Sequence, residues 1–125
     1  MVTGAHVLLY SKDADADRAF FRDVLQLRSV DVGGGWLIFA LPPAEVAVHP
    51  ADHLESKNAP VMLDSHLYLM CDDLQATIDS LKAKNVPCTA IARERWGIRT
   101  TIRMPSGGEI GLYQPTHPTA IGLNA

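Results

Sequence analysis

The stretch Met104–Pro115, MPSGGEIGLYQP, repeats the pattern of an earlier one, Leu41–Pro50, LPPAEVAVHP. With Gly108 taken as an insertion, Pro42 aligns with Pro105, Glu45 with Glu109 and Val46 with Ile110. Ala47 then aligns with Gly111, Val48 with Leu112 and His49 with Tyr113. Each stretch is a Pro/Gly turn leading into a short alternating run, the pattern of a turn entering a strand. His6 opening HVLLYS and His66 opening HLYLMC recur at the same offset as Trp36 and Trp96, and Ala14–Leu27 corresponds to Leu74–Val86 as a helical segment. Helix, Trp strand, Pro turn and closing strand in the same order twice predict an internal duplication. Two copies are too few for a solenoid, so they must bury their apolar faces in one another or in a second chain.

A chain of 125 residues, 47% hydrophobic and 20% charged, fits one compact domain with a real core. A net charge of −3 gives no electrostatic footprint for nucleic acid or an anionic membrane. No apolar run approaches the roughly 20 residues of a membrane span, and MVTGAHVLLY lacks the basic start of a signal peptide. Cys71 and Cys88 fit no metal spacing and read as buried thiols of a cytoplasmic protein.

In order, residues 5–10 alternate as a strand with His6, Leu8 and Tyr10 on one face. Ser11 or Asp13 caps the following helix, Asp15 and Asp17 suit its positive end, and Ala16, Ala19, Phe20, Val24 and Leu27 form its inward stripe. Strands are expected over residues 28–32, 36–41 and 45–49, with Gly33–Gly35 and Pro42–Pro43 as turns and Trp36 and Phe39 as sheet core. Residues 50–64 are a connector or a flap over a site. The second unit, residues 65–115, has strands over 65–71, 87–91, 97–104 and 109–114. Its helix, 74–84, has Asp72 and Gln75 as a capping box, Leu74, Ile78 and Leu81 inward and Asn85 at its left-handed end. Residues 116–125 read as a loose tail, with His117, like His53, at the surface. The expected fold is α+β: one domain of two tandem βαβββ units, 5–49 and 65–115, forming an open curved sheet, with a homodimer covering what remains exposed.

Repeated βαβββ units with a His in each first strand and a Pro-x-Gly turn before the last strand resemble the vicinal oxygen chelate superfamily. That group contains glyoxalase I, extradiol dioxygenases, fosfomycin-resistance enzymes and bleomycin-binding proteins. AHVLLYSKDADADRAFFRDVLQL, SHLYLMCDDL and MPSGGEIGLY carry the resemblance, which spans about residues 5–115. The resemblance implies a small organic molecule held in a cup, with or without one divalent metal (Zn, Ni, Mn or Fe). Metal-binding members use one position on the first and one on the last strand of each unit. His6 and His66 match the first-strand positions; the last-strand positions fall on Ala47 and Gly111, which offer no donor.

Residues two apart on a strand share a face, so Glu45 and Glu109 lie one step toward the turn from those positions, and His49 and Tyr113 one step beyond. A set of His6, His66 and Glu109 would be two imidazoles and a carboxylate, with Glu45 or Glu109 as the base of a lyase, isomerase or dioxygenase. The alternative is a metal-free cup of the bleomycin-resistance type, which sequesters an aromatic or cationic compound between rings. Tyr68, Tyr113, Trp96 and His49 are the expected ligand contacts. A third reading, a structural dimer without a ligand, predicts a cup filled by its own side chains. Arg93, Arg95, Arg99 and Arg103 would make an anion site only if they converged.

Overall fold

A computed structural model of the chain describes residues 6–48 and 64–123. The element order is α1 (Ala14–Asp23), β1 (Ser29–Asp31), β2 (Leu37–Phe39), β3 (Tyr68–Met70), α2 (Leu74–Ala83), β4 (Ala92–Glu94), β5 (Gly97–Arg103) and β6 (Glu109–Pro115). The second unit is a complete βαβββ motif whose four-stranded sheet has the order β3-β6-β5-β4. Opening strand β3 runs parallel to closing strand β6, with Tyr68 opposite Gly111 and Met70 opposite Tyr113. The remaining pairs are antiparallel.

Alternation along β5 and β6 decides what each face carries. Ile102, Ile110 and Leu112 turn to one side, where they join Leu74, Ile78 and Leu81 of α2, Val86, Met104 and Phe20 of α1 in the core. Burying each such side chain stabilises the fold by about 1.5–3 kcal/mol. Tyr68, Gly111, Tyr113, Thr101 and Arg99 fall on the opposite face by the same register.

The helix starts are built by local chemistry. The Asp13 carboxylate accepts from Ala16 N at 3.2 Å, so Asp13 is the cap of α1, while Ser11 Oγ accepts from Asp13 N. In α2 the cap is Asp73, accepting from Ala76 N at 3.0 Å, and not Asp72. Gln75 donates to Asp79, so no capping box forms. Gln114 Oε1 accepts from Leu74 N at 2.9 Å, tying the helix start to the sheet. Asn85 takes the left-handed conformation expected of it, with φ 62°.

Four further expectations are corrected. Residues 6–10 and 45–48 are not hydrogen-bonded into a sheet, and the first unit contributes only the antiparallel pair β1–β2. Phe20 of α1 instead joins the second unit's core, and Val46 and Val48 are each 89% exposed. Residues 87–91 supply only a single bridge, Cys88 to Ile102; the edge strand starts later, at Ala92, because the tight turn at residues 94–97 sets the register. Trp36 is no core residue: it is 61% exposed, and the Arg18 guanidinium lies 4.5 Å from its ring centroid. Phe39 packs on Phe21 at 5.5 Å. Finally, residues 116–123 are docked on the sheet and are not a loose tail.

Asp17 joins the two units. It is 4% exposed, and its carboxylate accepts from Ser11 Oγ at 2.7 Å and from Ser106 N and Oγ at 3.1 and 2.7 Å. These donors supply the partners that a buried carboxyl group needs. Expected only as a favourable charge at a helix start, Asp17 instead clamps α1 to the β5–β6 turn.

Candidate functional site

The helix-free face of the second sheet carries a cluster of aromatic rings. Tyr68 comes from β3, Tyr113 from β6, and Trp96 from the turn between β4 and β5. Their rings meet edge-to-face: Tyr68–Trp96 at 5.9 Å, Tyr68–Tyr113 at 5.8 Å and Trp96–Tyr113 at 5.1 Å. That is the geometry favoured by ring quadrupoles. His117 completes the group, its ring stacked on Tyr113 at 6.1 Å with 22° between planes.

Glu45 reaches this cluster from the first unit. Tyr113 Oη donates to its Oε1 at 3.5 Å and Ala120 N to its Oε2 at 2.7 Å, and His117 Nε2 stands 3.9 Å from Oε1. Burial, followed by the neighbouring Glu45 charge, pushes the Tyr113 phenol above its usual pKa, so Tyr113 is a neutral donor at physiological pH. A half-buried carboxylate among aromatic edges and faces can accept from a hydroxyl or amine and can balance a cation.

The expected residues therefore divide. Glu45, Tyr68, Trp96 and Tyr113 come together. Glu109 stands apart, exposed, with Thr101 Oγ1 donating to its Oε2 at 3.4 Å. His6 and His66 are both exposed. Extending the β3–β6 register two residues back sets His66 opposite Glu109, and Gly111 N donates to Leu67 O on that line. His49 lies outside the described residues, as do His53 and all of the connector except its last residue, Asp64. The arginines do not converge: Arg99 Nε donates to Glu94 Oε1 at 3.2 Å, and Arg103 sits opposite Glu109.

His117 is the site residue that sequence reasoning missed. It lies two residues beyond the end of β6, where strand alternation no longer says which way a side chain turns.

The four-ligand metal centre of the family does not fit these residues. Its last-strand positions hold Ala47 and Gly111, and a Cβ built on Gly111 would run into the Tyr68 ring. Tyr68 thus fills the space where the second carboxylate would stand. Among the described residues no three His, Cys, Asp or Glu side chains are grouped to share an ion. Two shallow clefts, of about 410 and 340 Å³, lie away from the aromatic face. One runs between the end of α1 and α2, the other between Phe20 and Met104.

The helix-on-sheet fold of this chain has counterparts among known proteins. The sequence model of the Glyoxalase/Bleomycin resistance protein/Dioxygenase superfamily matches residues 4–112, and the chain belongs to that superfamily. Among solved structures it resembles a lactoylglutathione lyase from Agrobacterium tumefaciens, with 22% identity and a TM-score of 0.62 over 90% of this chain and 92% of that one. It also resembles TnmS3, an antibiotic-binding protein from Streptomyces sp. CB03234, with 23% identity and a TM-score of 0.59 over 93% of this chain and 100% of that one. An integron cassette protein from the mobile metagenome of Halifax Harbour sewage outfall shares the fold at 12% identity and a TM-score of 0.60, over 90% and 99%. No curated protein matches the chain. Within the described residues no helix is long and apolar enough to cross a membrane.

Proposed function

We propose that this protein binds a small, flat organic molecule bearing a protonated amine or similar donor on the aromatic face. Trp96, Tyr68 and Tyr113 would take its apolar part and Glu45 its donor. The observation that carries this reading is the Glu45 carboxylate, 17% exposed, held among the rings by the Tyr113 hydroxyl and the Ala120 amide. A carboxylate so placed has more value for recognising a cation than for packing, because its desolvation is repaid only by partners that bring charge or hydrogen bonds. The relative described as an antibiotic-binding protein supports a small organic ligand in general.

Titration calorimetry with a panel of cationic and neutral flat aromatics tests it. Cations should bind more tightly than neutral isosteres of the same shape. Glu45→Gln should abolish that preference, and Trp96→Ala should weaken both. Equal binding of cation and isostere, unmoved by Glu45→Gln, would retire the reading.

One observation favours a second reading, an enzyme: the register that sets His66 opposite Glu109. The lyase relative supports that reading, but His6, His66 and Glu109 are not grouped to share an ion in this structure, so a divalent ion would have to draw them together. Titration with Zn²⁺, Ni²⁺, Mn²⁺ and Fe²⁺ decides between the readings. One equivalent bound by wild type and lost in His6→Ala/His66→Ala would favour the enzyme.

A further inference from the structure

We infer that residues 116–123 form a strap that closes the aromatic face, hinged at Thr116 and latched on Glu45. This rests on the functional reading above, since the latch and the ligand's donor would use the same carboxylate.

The hinge is well tied. Thr116 N donates to Trp96 O at 3.0 Å, and Thr116 Oγ1 donates to Arg95 O at 3.2 Å, so the strap leaves the sheet at the residue after β6. Beyond that point it runs mostly exposed and adds no member to the buried core. Among the described residues it is then held by the Ala120 amide on Glu45 Oε2 and by the His117 ring, stacked on Tyr113 and near Glu45 Oε1. A segment held by a few side-chain bonds with little apolar burial is the kind that opens at a free energy well below global unfolding.

The strap also contributes, through His117, to the cover of Tyr113, which is only 9% exposed. Its cover is His117, Trp96, Tyr68 and Glu45. While the strap is down, the Tyr113 ring and the Glu45 carboxylate that a ligand would use are therefore both engaged by it.

Competition for Glu45 turns this into a gate. A ligand cation that takes Glu45 Oε2 displaces the Ala120 amide, so bound ligand and closed latch exclude one another. The apparent affinity is then the intrinsic affinity reduced by the fraction of open molecules; if about one molecule in ten is open, releasing the latch tightens binding about tenfold.

The test uses the full chain on a Trp36→Phe background, so that Trp96 alone fluoresces. Ala120→Pro removes the latch N–H and leaves Glu45 intact; His117→Ala removes the stacked ring by a different route. Acrylamide quenching of Trp96 should rise severalfold in both. A flat cationic dye of the acridinium type, followed by stopped flow, should enter faster and bind more tightly than to the latched protein. Quenching unchanged in both variants, with circular dichroism showing them folded, would overturn the strap as a cover. Greater quenching with weaker dye binding would make the strap a wall of the site, and would overturn the gate. Failure of the dye to bind any of the proteins would count against the functional reading, while the quenching result would still decide whether the strap is held down by Ala120 and His117.

Discussion

A Cβ on Gly111 has nowhere to go, because the Tyr68 ring crosses the spot where it would stand. Gly111→Ala should therefore destabilise the fold by about 1–3 kcal/mol, the usual cost of overpacking a filled site. Urea denaturation should show most of that loss recovered when Tyr68→Ala is added, since the two residues share one space. A full loss that persists in the double variant would mean that the backbone, rather than the ring, requires glycine there. Tyr113 offers a second measurement at this scale. Its pKa is raised by burial and by Glu45, so the stability it contributes is fully present below the ordinary phenol pKa and is lost as pH rises through the raised one. Absorbance titration of the three tyrosines should show one ionising late, and Glu45→Gln should bring it earlier. Three phenols titrating together would remove the Glu45–Tyr113 contact from the site.

Among the elements, α1 carries the most consequence for its length. Asp17 on its inner side holds the β5–β6 turn through both the amide and the hydroxyl of Ser106. Asp17→Ala would strand those donors at a buried site, and the expected cost is about 1.5–3 kcal/mol by thermal or urea unfolding. A loss below about 0.5 kcal/mol, the size of an ordinary surface change, would show that the clamp is incidental. This element also marks where the sequence could be read and where it could not. The helices, β5, β6 and the left-handed Asn85 follow from period, caps and turn residues, because each depends on neighbours within one turn of chain. The four-stranded second unit and the family resemblance were readable for the same reason. The Asp17 clamp and the docked strap were not, since each joins residues more than seventy apart, Asp17 with Ser106 and Glu45 with Ala120. Of the candidate site, Tyr68, Trp96, Tyr113 and Glu45 were picked by their strand faces and do assemble. The resemblance implies His6 and His66, and strand alternation adds Glu109 one step from Gly111; neither specifies what Tyr68 does to the space between them.

At the scale of the whole molecule, the two units are unequal. The second closes its sheet and its core; in the first, residues 6–10 and 44–48 are mostly exposed and form no strand among the described residues. Two strands alone are marginal in water, and among the described residues β1–β2 is supported by packing on α1. Val46 and Val48, 89% exposed on either side of Ala47, sit one step beyond the site carboxylate Glu45. Apolar side chains on an unpaired edge invite a second strand, and an isologous pair would cover the same segment on both chains at once. We therefore expect a homodimer in solution, with twice the mass of one chain by light scattering. A stable interface of this kind needs roughly 800 Å² from each partner, which a few exposed valines and leucines along two strand edges can supply. Val46→Lys/Val48→Lys places charges on that edge and should yield a monomer with the second unit intact. Because Glu45 directly precedes these residues, the monomer should also lose affinity for a cationic ligand even though no ring is altered. A wild-type monomer would break this chain of reasoning at its first step. A dimer indifferent to both lysines would place the interface elsewhere and leave Glu45 positioned by the strap and Tyr113 alone.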